Sequence, residues 1–90
     1  MLFRSVSNTE FICRNIVARL EDARAKHPQP MVDANHALGI IEEEFLEVRV
    51  ECFKKRVDAA KLQQELLDLA AMCVRAIEDV ALEIEKRDAR

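Results

Sequence analysis

The stretch LQQELLDLAAMCVRAIEDVALEI, residues 62–84, decides the fold. Leu62, Leu66, Leu69, Cys73, Ile77, Val80 and Ile84 recur at every third or fourth position, with no Gly or Pro between them. That spacing returns each side chain to one face of an α-helix, so the run is a long amphipathic helix and not a strand. Working outward, Asp58 supplies an N-cap acceptor, and Lys54, Lys55 and Arg56 suit the negative end of a preceding helix. That preceding helix has its own stripe at Ala34, Leu38, Ile41, Phe45, Val48 and Cys52, and opens at Asp33 or near Asn35. Neither Gly nor Pro marks the break between the two helices, so it is inferred from charge and capping alone.

Further upstream, HPQP at residues 27–30 stops a first helix, because each proline disfavours helical geometry in the residue before it and lacks a backbone donor. Ser7, Asn8 and Thr9 offer caps for that helix, and Ile12, Ile16, Leu20 and Ala23 form its stripe. The expectation is a single all-α domain over residues 1–90, with helices at about 8–26, 33–55 and 58–87. The last two form a long antiparallel hairpin that completes a four-helix-type bundle by oligomerisation, since 90 residues bury only a small core alone.

Composition agrees and narrows the function. One Gly, two Pro and no Trp or Tyr, beside abundant Ala, Leu, Glu, Lys and Arg, is the make-up of long helices. A net charge of -3 with both signs interspersed, and no basic block, argues against a nucleic-acid surface. No apolar run approaches the roughly 20 residues that span a bilayer, and MLFRSVSNTEF lacks the apolar centre of a signal segment, so a cytoplasmic location without membrane partners is expected. Cys13, Cys52 and Cys73 are odd in number and far apart inside helical patterns, as expected for reduced, buried small apolar residues.

The chemistry lies in the acids beside the stripes. Glu44 and Glu47 fall about 60 and 120 degrees to one side of Ile41, with Glu51 between them, and Glu65 and Asp68 fall about 60 and 120 degrees to the same side of Leu62. In an antiparallel hairpin Glu47 faces Glu65 and Glu44 faces Asp68, because both pairs share Arg56 as their sequence midpoint. One such pair is an ordinary solvated helix flank; two in register make four carboxylates converge, which repel unless protonated or neutralised by a cation. Oxygen-only donors select a hard ion, Mg²⁺ or Mn²⁺. Consistent with a ligand role, Glu42, Glu43, Glu44 and Glu47 have no basic residue in the preceding turn.

These residues also form a recognisable pattern. EEFLE, carrying Glu43, Glu44 and Glu47, is followed after seventeen residues by ELLD, carrying Glu65 and Asp68, and the pair resembles the EExxE, spacer, ExxD signature of MazG-type all-α nucleoside triphosphate pyrophosphohydrolases. The resemblance implies Mg²⁺-dependent hydrolysis of a nucleoside triphosphate substrate to the monophosphate and pyrophosphate, in a dimer or tetramer. By position it makes Glu44, Glu47, Glu65 and Asp68 the metal ligands and Glu43 the supporting or water-orienting acid; one carboxylate, Glu43 or Glu44, acts as general base. Lys61, one turn before Glu65, and Arg75, farther along the same edge, are candidate phosphate contacts, with ion pairing to Asp79 or Glu78 the alternative for Arg75. His36 lies on nearly the same side of its helix as Glu47 and is a candidate base or phosphate contact, or a helix-surface histidine without a role. Met72, Phe45 and Phe53 are expected in the core, with contact to a nucleobase as the alternative. A different class of function fits the same pattern: a non-catalytic helical oligomer, acting as a scaffold or as a nucleotide- or metal-binding regulator. A di-iron carboxylate bundle does not fit, because its Glu-x-x-His pairs are absent.

Overall fold

The computed structural model describes residues 7–89. Residues 1–6, on which the expectation of no signal segment partly rests, and Arg90 lie outside the described residues. The chain is all-helical, as its periodicity requires, and consists of three rods. α1 spans Asn8–Lys26 and is capped by the Ser7 hydroxyl, which accepts the Glu10 N–H at 3.1 Å. α2 spans Ala34–Cys52, with the Asp33 carboxylate accepting the His36 N–H at 2.8 Å. α3 spans Ala59–Ala76, opened by Asp58 accepting from Lys61 N at 3.2 Å. Each start falls where a short polar side chain can satisfy a free N–H, which is why capping residues located the breaks.

Two boundaries differ from expectation. α2 ends at Cys52, not near residue 55: Phe53 is the C-cap, and the 53–58 turn carries the basic run. The third rod is not uniform either. Ile77–Ala81 is π-helical and leads into α4, Leu82–Asp88, with helical dihedrals at Ala76 and Ala81 and no side-chain cap at either join. The rod is therefore continuous but carries one wide turn, and it stays helical to Asp88, close to the expected end near residue 87. Periodicity could not show this, because the 77, 80, 84 spacing survives the insertion.

α3 is the central rod. Both α1 and α2 pack on it, while α1 and α2 make no close backbone approach to each other among the described residues. The molecule is consequently a slab of 48 × 45 × 23 Å with a gap between its outer helices. Ala37 near the start of α2 packs with Val80 and Met31, and Ile40, Met72 and Ala76 close around them. Arg75, only 5% exposed, ties the 27–30 loop to the rod: its Nη2 donates to the carbonyls of His27 at 2.5 Å and Gln29 at 2.8 Å. Asp79, in the π turn, accepts from Arg75 Nε at 3.3 Å, Arg24 Nη1 at 3.1 Å and the Met31 N–H at 3.0 Å.

The expected core stripes are only partly buried. On α2 the residues turned inward are Ala37, Val48 and Glu51, with Ile41 and Glu44 half-buried, a face rotated toward the acids. Phe45 is 52% exposed and Leu66 45%, and Leu38, Cys52, Ile77 and Ile84 are exposed as well. The cysteines are free, but Cys13 and Cys52 are exposed and Cys73 half-buried, against the expectation of burial. The reason is common to all: three rods in a slab can cover only one flank of each amphipathic helix.

Candidate metal centre

Glu44 and Glu47 project from successive turns of α2, and Glu65 meets them from α3, where the two helices pack side by side. One carboxylate oxygen from each of these three lies within 4.8 Å of the others. The environment is hostile to three negative charges. Burial, first, and then the charges of Glu47, Asp68 and Glu65 push the Glu44 carboxyl from 4.5 up to about 7. Glu47 is also raised, chiefly because it shares a hydrogen bond with Glu65, and then by burial and by the charges of Glu65 and Asp68. Two oxygens, Glu44 Oε2 and Glu65 Oε2, are buried and accept no hydrogen bond. Buried acceptors with no donor are costly, and a divalent cation satisfies several at once. The carboxylates thus fit a hard cation: oxygen donors, convergent, and short of positive charge.

Asp68, the fourth expected ligand, stands beside this group and adds to its field, but its Oδ1 accepts from Arg19 Nη1 at 2.6 Å. Arg19 comes from α1 and was not among the residues singled out by motif or spacing. A signal for it does exist in the sequence: residues 12, 16, 19 and 23 keep helical spacing, so Arg19 is a cation set into an apolar series. Glu51 is buried one turn beyond Glu47 and is engaged by Lys54 Nζ at 2.9 Å. Lys61 Nζ lies 3.7 Å from Glu65, close enough to offset charge at the edge of the group.

The gap between α1 and α2 opens beside these acids as a cavity of about 990 Å³. Glu43, Glu44 and Asp68 border it on the side of the acidic group and Asp22 on the α1 wall, while Arg19, Lys26, His36 and Arg75 supply basic groups or hydrogen-bond donors on the other walls. His36 is exposed at the rim, and its Nδ1 accepts the Val32 N–H at 2.9 Å. A neutral imidazole held that way carries its proton on Nε2 and is a donor there. Arg75 borders the cavity too, yet its Nε and Nη2 are committed to the loop and to Asp79, which makes it first of all a strut. The pairing with Asp79, not Glu78, is the one formed; Glu78 binds Arg24 at 2.9 Å. Met72 joins the core cluster and also borders the cavity. Phe45 and Phe53 do not border this cavity, and the Arg49 guanidinium lies 5.1 Å from the Phe53 ring centre.

Compared with protein-family models, curated proteins and solved structures, the chain matches none. No helix among the described residues is long and apolar enough to cross a membrane.

Proposed function

We propose that the chain is a Mg²⁺-dependent nucleoside triphosphate pyrophosphohydrolase of the MazG-like kind, with Mn²⁺ as an alternative ion, built on an antiparallel α2–α3 hairpin within a homo-oligomer. One observation carries the proposal: the Glu44, Glu47 and Glu65 carboxylates, with two buried oxygens lacking donors, border or adjoin a cavity of about 990 Å³ whose other walls bear Arg19, Lys26 and Arg75. An acidic cluster alone holds a cation, whereas an acidic cluster facing a partly basic cavity suits a cation and a polyanion together. The motif resemblance supplies the reaction class.

In this reading Glu44, Glu47 and Glu65 hold the ion, and Asp68 is the fourth donor. A Mg²⁺ ion held by these carboxylates would supply positive charge to the triphosphate and to the charge that develops at the attacked phosphorus. Glu44 surrenders the proton it shares with its neighbours near neutral pH. Glu43, exposed at the cavity margin, is the acceptor for the proton of the attacking water, whose oxygen bonds to the α-phosphorus as the bond to the β-phosphate bridge oxygen breaks. Lys26 and His36, which border the cavity, are the phosphate or base contacts in this reading, and Lys61, 3.7 Å from Glu65, offsets charge there. The uncovered apolar flanks of α2 and α3 support the oligomer.

The test is incubation of the purified chain with Mg²⁺ and a panel of canonical and modified ribo- and deoxyribonucleoside triphosphates, following monophosphate and pyrophosphate release. Turnover of at least one substrate is expected, with Glu44→Gln and Glu47→Gln each reducing it about 100-fold or more. Silence across the panel, with Mg²⁺ binding intact, would leave the non-catalytic nucleotide- or metal-binding oligomer as the better account.

A further inference from the structure

Three carboxylates, Glu44, Glu47 and Glu65, meet at the α2–α3 packing line with Asp68 beside them, and α1 delivers a cation to Asp68. Arg19 Nη1 lies 2.6 Å from Asp68 Oδ1 and 3.3 Å from the Gln64 carbonyl oxygen. The Arg19 and Asp68 side chains retain 31% and 39% exposure, so neither is locked in place by packing. Both border the cavity that Glu43 and Glu44 also border. The other acids have no comparable partner: Lys61 stays 3.7 Å from Glu65, and the buried oxygens of Glu44 and Glu65 accept nothing. Arg24, by contrast, spends its guanidinium on Glu78 and Asp79, away from the acidic group.

A guanidinium held against one carboxylate of a cation site is itself a competitor for that site. Two cations crowded on Asp68 repel, and a long, partly exposed arginine side chain can turn away at small cost. What it turns toward is the cavity, where a planar, multiply donating guanidinium matches phosphate oxygens better than a lysine does. Resting on the reading of this site as a divalent-cation and triphosphate centre, we propose that Arg19 is a displaceable internal cation. It holds Asp68 in the cation-free protein, yields Asp68 to the divalent ion, and then binds phosphate from the α1 wall. Ion and polyphosphate then bind cooperatively, because each removes a partner that would otherwise oppose the other.

The experiment titrates the full chain with Mn²⁺, reading free ion by electron paramagnetic resonance, with and without inorganic tripolyphosphate. Arg19→Gln is expected to bind Mn²⁺ alone about fivefold more tightly than the unaltered chain, since the competing ion pair is gone. The same variant is expected to bind tripolyphosphate in the presence of Mn²⁺ about tenfold more weakly, and to lose the cooperativity. Arg24→Gln, which removes an ion pair of the same helix outside the acidic group, leaves both midpoints within about twofold. If Arg19→Gln does not fold, Arg19→Lys is expected to weaken tripolyphosphate binding in the same direction, because a point charge lacks the forked donors. Weaker or unchanged Mn²⁺ binding by Arg19→Gln, beside normal binding by the unaltered chain, overturns the role of Arg19 and leaves the metal centre standing. No Mn²⁺ binding by the unaltered chain overturns both.

Discussion

Glu44 is the residue whose state depends most on its surroundings. Its carboxyl is raised from 4.5 to about 7, so the folded chain holds a proton there that the unfolded chain has already released across that interval. A raised carboxyl contributes stability that is complete below about 4.5 and is lost as pH climbs through about 7. Glu47, raised in the same direction, adds to the trend. The lowered Asp79 works oppositely, contributing stability above its ordinary range and losing it in acid. The cation-free chain should therefore melt higher at pH 5.5 than at pH 8, by an amount worth about 1 kcal/mol after allowance for solvent screening at this half-buried group. Saturating Mg²⁺ at pH 8 should close the gap, as should Glu44→Gln without Mg²⁺; circular dichroism melts at the two pH values check both. Equal melting temperatures in the cation-free chain would mean that the acids are not crowded in solution.

At the scale of elements, the distinctive unit is the π turn with the Arg75–Asp79 pair. Arg75 and Asp79 are 6% and 7% exposed at the side chain, and Asp79 gathers Arg75, Arg24 and the Met31 N–H. Removing one partner of so buried a pair leaves the other charge uncompensated, so Asp79→Ala should cost about 3 kcal/mol, read as a lower urea midpoint. The loss should also free the 27–30 loop, which forms one wall of the cavity; faster amide hydrogen exchange at Met31 would report it, and unchanged exchange would show that the loop is held by other contacts. Capping residues made the helix starts legible, and Asp33 and Asp58 carry out the roles their residue type suggests. The early end of α2 was not legible, because no residue between Cys52 and Asp58 is unable to continue a helix.

For the whole molecule, the unsettled balance is between covered and uncovered apolar surface. Leu38, Phe45, Leu46 and Val50 of α2, Leu66 of α3 and Ile77 of the π turn are exposed, while the buried apolar residues are few and mostly small. A single slab exposing this much apolar surface is expected to associate. Sedimentation at about 50 μM should give a dimer or larger species, and the Leu38→Glu, Phe45→Glu pair should shift it to monomer and lower its melting temperature. A monomeric unaltered chain would count against the oligomer. The helix content, the capped starts of the three helices and the placing of Glu44 and Glu47 on one edge of α2 were set by the sequence itself, because helical periodicity and side-chain caps are local. Three things were decided only by tertiary packing: which flank of each helix is covered, the strut role of Arg75, and the arrival of Arg19 at Asp68. The last two depend on contacts between residues about 45 to 50 positions apart, and all three on partners chosen by how the rods stack and not by any local preference of the chain.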